Sequence, residues 1–125
     1  MAEDSPVTTV PAEILELAQG LLKRTDPETA GLWPRAAALL ALEATLDDFW
    51  LRKGVRLDAC WMRSQLVCLE DYVDREVAGR VHHAWGALSR ACHHHPYELA
   101  PSVEELQSLV ASVSEFQAVV AATAR

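Results

Sequence analysis

The stretch "PRAAALLALEATLDDFWLRKG", residues 34 to 54, decides the fold class. Its apolar residues recur at three and four positions, the period of a helix rather than the alternation of a strand. Ala36, Leu39, Leu40, Leu46, Phe49 and Trp50 are expected on the inward stripe. A proline is tolerated in the first turn, where its missing N–H would have no partner anyway, so the start falls near Pro27 or Pro34. The end falls at Arg52, because Gly54 can take the left-handed turn that follows a helix at little steric cost.

The same period continues in both directions. A first helix is expected from about Pro11 to Arg24, with Ile14, Leu17, Ala18, Leu21 and Leu22 facing inward. "TDPE" at 25–28 then reads as a cap, since Asp and Glu favour the positive end of a helix. A third helix is expected from about Asp58 to Val73, burying Trp61, Leu66, Leu69 and Tyr72, with a short break near "YVDRE" at 72–76. The fourth carries Val77, Val81, Trp85, Leu88 and Cys92. It ends before Pro96, because the residue ahead of a proline is pushed out of the helical well. Ser102 and Glu105 have the spacing of a capping box. The helix they open is expected to run to about Ala122, with Val103, Leu106, Leu109, Val110, Val113 and Phe116 on its apolar face. Facing stripes of this kind pack as an all-α, up-and-down helical bundle of four to five helices. Residues 1–9 are polar and are expected as a disordered tail, and 10–125 as one domain.

Half of the 125 residues are hydrophobic, enough for a core. No run of about 18 apolar residues occurs, so no membrane span is expected. "MAEDSPVTTVPAEIL" has no apolar signal core, which points to a cytoplasmic protein. Cys60, Cys68 and Cys92 are odd in number and read as free buried thiols. The net charge of −7 disfavours non-specific binding to nucleic acid, which needs a basic face, yet leaves room for a local basic site.

Chemistry concentrates in "SRACHHHPYELAPS", residues 89 to 102. Three readings of Arg90, His93, His94, His95 and Tyr97 compete. The first is a metal site. Consecutive histidines on a helix point about 100° apart, which is poor ligand spacing, so neither a metal nor another cofactor is expected. The second is a helix end, where histidines bond the last carbonyls and answer the dipole. The third is acid/base work on a phosphate. Histidine exchanges protons near neutral pH, and arginine forks onto phosphate oxygens.

Arg90, His95 and Tyr97 resemble the Arg-x4-His-x-Tyr pattern of HEPN domains, which are all-helical and carry that motif near the end of one helix and before the final one. The resemblance implies a homodimer that brings two motifs together, and in many members a metal-independent endoribonuclease of toxin–antitoxin or phage-defence systems. It also implies Arg90 on the scissile phosphate, His95 as general base or acid, and Tyr97 as the group that a nucleotidyltransferase antitoxin modifies with AMP in some members. His93 and His94 fall at the variable positions and are added as supporting residues. The alternative within the same family is a non-catalytic module that binds a protein or nucleotide partner.

Four further observations bear on the site. Arg80 and His83 lie ten and seven residues before Arg90, on about the same helical face, and either extend a positive groove or form a solvated face. Glu43, Asp47 and Asp48 are candidate partners for such arginines or for a histidine. Trp33, Trp50, Trp61 and Trp85 read most simply as core, with a dimer face as the use for one or two of them and base stacking a minor alternative without a basic surround. Cys92 lies inside the motif and reads as a small buried hydrophobe rather than a nucleophile.

Overall fold

A computed structural model describes residues 6–23, 32–57, 60–93 and 101–123. Among them are five helices and no strand: α1 (Pro6–Lys23), α2 (Leu32–Lys53), α3 (Met62–Leu69), α4 (Arg75–Cys92) and α5 (Val103–Ala121). The all-helical bundle is as expected. α2 lies at its centre and packs against α1, α4 and α5. α1 and α4 both also touch α5, and the short α3 rests on α4.

The core runs through Leu42, Leu46 and Phe49 of α2, Leu66 and Leu69 of α3, Val81 and Leu88 of α4, and Leu106, Val113 and Phe116 of α5. Burial of such side chains contributes roughly 1.5–3 kcal/mol each. At one end, aromatic rings meet edge to face. Phe49 and Trp50 lie 5.1 Å apart and Trp50 and Tyr72 5.4 Å, while Phe49 and Phe116, 6.0 Å apart, are tilted at 49°. The edge-to-face pairs place the positive edge of one ring on the negative face of another. Trp50 Nε1 donates to Gln65 Oε1 at 3.1 Å, and Gln65 Nε2 donates to the Cys60 carbonyl at 3.1 Å. This chain of bonds fixes α3 against α2.

The helix ends show their causes. Gly54 has φ of 70°, and the Val55 N–H reaches back to the Trp50 carbonyl at 3.1 Å, closing the turn past α2. Asp74 accepts from the Glu76 N–H and starts α4 after the break expected near "YVDRE". Ser102 and Glu105 form the expected reciprocal capping box.

Several boundaries and faces differ from expectation. α1 starts at Pro6 rather than near Pro11, so residues 6–9 belong to a helix and not to a tail. Pro11 then lies inside α1, and Gln117 Nε2 donates to its carbonyl at 2.8 Å and to Thr45 Oγ1 at 3.1 Å, tying α1, α2 and α5 together. α3 is eight residues long, not sixteen, and its N-cap residue Trp61 is 85% exposed rather than buried. Tyr72 sits in the turn beyond α3 and is 42% exposed, with its ring still packed on Phe49 and Trp50. On α2 the buried set is wider than the expected stripe and leaves out one of its leucines: Ala38, Ala41, Leu42 and Thr45 are also buried, while Leu40 is 57% exposed. Leu46, Phe49 and Trp50 are buried as expected. Trp33 is also exposed, so of the four tryptophans only Trp50 is core in full. All three cysteines are free, as expected, but Cys60 is exposed and Cys68 and Cys92 are half-buried. No described helix is long and apolar enough to cross a membrane.

Candidate anion site on the outer face of helix four

The last turn of an α-helix leaves carbonyls without partners inside the helix. At the end of α4 three of them are answered by His93 and Arg35. The His93 N–H reaches Ser89 O and Arg90 O, both at 3.2 Å, and His93 Nδ1 lies 2.8 Å from Ser89 O. A carbonyl only accepts, so Nδ1 carries the proton in that bond. Arg35 Nη1 of α2 donates to Ala91 O at 2.8 Å. Arg35 is only 8% exposed, so a buried positive charge stands at the negative pole of α4. His93 therefore does what the helix-end reading assigned to it. His94, His95 and Tyr97 lie outside the described residues, as do Asp26, Pro27 and Pro96.

Arg90 is exposed and turns along the side of α4. Its Nη1 passes 3.5 Å from the point where a Cβ on Gly86 would stand, so the guanidinium lies across bare backbone. There it borders a cleft of about 440 Å³ between α3 and α4. The α3 wall is Arg63 and Val67, one turn apart. The α4 wall is His82, His83, Trp85, Gly86 and Arg90. Two arginines and two imidazoles thus face one space that no carboxylate lines among the described residues. An anion is what such a lining can hold, because arginine pairs its N–H fork with phosphate or carboxylate oxygens.

The positive face expected around Arg90 is present in part. His83 lines the cleft. Arg80 does not, because Glu115 of α5 holds it through a two-bond pair, Nε to Oε1 at 2.6 Å and Nη2 to Oε2 at 3.0 Å. That pairing raises the Arg80 pKa, chiefly through the hydrogen bond to Glu115. Arg63 is not expected from the sequence, since it belongs to another helix and only the fold brings it across, and His82 joins His83 from α4 itself. Of the three acids expected to serve arginines or histidines, Asp48 pairs with Arg52 on its own helix at 3.2 Å. Glu43 instead accepts from Trp85 Nε1 at 3.2 Å, behind the cleft. Cys92 has its thiol pKa raised by burial, with Glu43 adding to the rise and Arg35 opposing it. That keeps the sulfur protonated and agrees with a packing role. Among the described residues no group of three or more His, Cys, Asp or Glu side chains is arranged to hold a metal ion.

The chain matches no family model, no curated protein and no solved structure.

Proposed function

We propose that the protein is a metal-independent endoribonuclease of the HEPN type, working at the cleft that Arg90 borders and at the histidines that follow α4. The observation that carries this reading is the joint lining of one cleft by Arg90, Arg63, His82 and His83. In an acidic protein such a local concentration of positive and proton-exchanging groups supports a phosphodiester as ligand. Arg90 binds the scissile phosphate and stabilises the charge that develops on it. His95 takes the proton of the ribose 2′-hydroxyl. The 2′-oxygen attacks phosphorus, the bond to the 5′-oxygen breaks, and the leaving oxygen takes a proton from an imidazolium or from solvent. The products are a 2′,3′-cyclic phosphate and a 5′-hydroxyl. By the sequence pattern His94 and Tyr97 are supporting residues, and Tyr97 is the group a nucleotidyltransferase antitoxin would modify. A homodimer would bring two such clefts together in the cytoplasm.

A second reading, a non-catalytic binding or dimerisation module, is favoured by the exposed rings of Trp33 and Trp61, 73% and 85% accessible. Large exposed aromatics suit interface centres. End-labelled RNA incubated with the protein in EDTA separates the two. The first reading expects cleavage that Arg90→Ala and His95→Ala each abolish with helical content intact. Intact RNA in the presence of a stable dimer supports the second and overturns the first.

A further inference from the structure

Trp85 is the largest side chain lining the cleft, and phosphate chemistry gives it no task. Its position is built, not incidental. The indole is half-buried, and its one polar atom, Nε1, points away into the bundle, donating to Glu43 Oε2 at 3.2 Å. With its N–H satisfied on α2, the part of the ring that reaches the cleft is apolar. Val67 supplies a second apolar surface from α3. Between Trp85 and Arg90 the wall is Gly86. A Cβ there would meet Arg90 Nη1 at 3.5 Å, so the bare backbone lets the guanidinium lie against this stretch of the wall. A flat apolar wall thus adjoins a cluster of cations, in a cleft of about 440 Å³. Small-ligand sites span roughly 300–1,000 Å³.

We infer that this cleft takes one unpaired nucleotide, with its base against Trp85 and Val67 and its phosphate toward Arg90, Arg63 and the His82–His83 pair. This rests on the reading of the site as a phosphodiester site and names what that site selects: single-stranded RNA, because a base inside a duplex is stacked on its neighbours and cannot present a face to the indole. Glu43 is a positioning residue, fixing the plane of the ring from behind. The selection does not depend on sequence, since every base has a face to stack.

The test uses a short single-stranded 2′-O-methyl oligoribonucleotide, which cannot be cleaved because its 2′-oxygen is blocked. Its affinity is compared with that of the same strand made abasic, and with that of its duplex. The expected result is that removing the bases, pairing them, or making Trp85→Ala each weakens binding about ten-fold, the scale of one lost stack. Trp85→Phe retains most of the affinity, and Trp85→Ala adds nothing to the abasic loss. If abasic and base-bearing strands bind the wild type equally while Arg90→Ala still weakens both, base stacking is overturned and the phosphate site stands. If no strand binds and Arg90→Ala changes nothing, the phosphodiester reading fails and this inference with it. The abasic comparison needs no variant, so it decides the matter even if Trp85→Ala does not fold.

Discussion

Trp85 Nε1 donates to Glu43 Oε2 at 3.2 Å across the α2–α4 contact, so a half-buried acid on the central helix orients a ring at the edge of the cleft. Glu43→Ala removes the acceptor and leaves the indole N–H without it. A loss of about 1 kcal/mol in urea unfolding is expected. Glu43→Gln keeps an acceptor oxygen and should lose less. Equal losses in the two variants would show that the bond contributes nothing.

Arg35 stands at the C-terminal end of α4, donating to Ala91 O at 2.8 Å. Arg35→Met fills similar space without the donor, leaving a carbonyl at the helix end unpaired. Destabilisation of about 1–3 kcal/mol is expected, with faster amide hydrogen exchange confined to the last turn of α4. An unchanged exchange rate there would remove Arg35 as the cap of that helix.

The start of α5 gives a prediction with a sign in pH. The Glu105 carboxylate is held below its ordinary pKa, first by the Ser102 backbone N–H and then by the Ser102 side chain. A group depressed in the folded state stabilises the fold above its unfolded pKa, and loses that contribution as pH falls through the lower folded value. The stability difference between wild type and Glu105→Gln should therefore be complete at neutral pH and shrink in acid, followed by thermal unfolding at several pH values. Ser102→Ala removes the other half of the box and is expected to cost about 1 kcal/mol. A Glu105→Gln difference that grows toward acid would contradict the assignment.

Thiol labelling ranks the cysteines. Cys60 is exposed, whereas Cys92 is half-buried with its thiol pKa raised by burial. Because the thiolate is the reacting form, maleimide at neutral pH should modify Cys60 first and Cys92 last, read by peptide mass spectrometry. A fast Cys92 would mean that the end of α4 opens readily.

The aromatic assignments separate cleanly. Phe49 is fully buried and touches three other rings, so Phe49→Ala should cost roughly 3–5 kcal/mol by denaturant unfolding. Trp61 is 85% exposed, so Trp61→Ala should stay within about 0.5 kcal/mol of wild type. A large loss at Trp61 would show a partner surface there, most simply a second copy of the chain.

The helix period was readable in the sequence because apolar spacing reports directly which residues share a face. The Ser102–Glu105 box, the Gly54 stop and the buried face of α5 are local signals, and they appear as expected. What failed depends on partners far along the chain. Leu40 points outward because Ala38, Ala41 and Leu42 meet the neighbouring helices, and nothing within α2 says that a close alanine contact will outrank a leucine. Trp61 and Tyr72 were assigned to one long helix, whereas α3 stops at Leu69 and leaves them at its two flanks. At the site, Arg90 is legible through its sequence pattern and His83 through its helical spacing from Arg90. Arg63 was missed because it faces them only across the α3–α4 contact, and Arg35 because a charge beside Pro34 gives no sign of being buried. His94, His95 and Tyr97 lie outside the described residues.

The most direct measurement is the chemistry of the RNA ends. Single-stranded RNA is incubated with the protein in EDTA, and the fragments are weighed by mass spectrometry. Attack by the neighbouring 2′-hydroxyl at a site organised by Arg90 and His95 predicts fragments ending in 2′,3′-cyclic phosphate and beginning with 5′-hydroxyl, and none from Arg90→Ala. Fragments carrying 3′-hydroxyl and 5′-phosphate, or RNA left whole by folded wild-type protein, would contradict it.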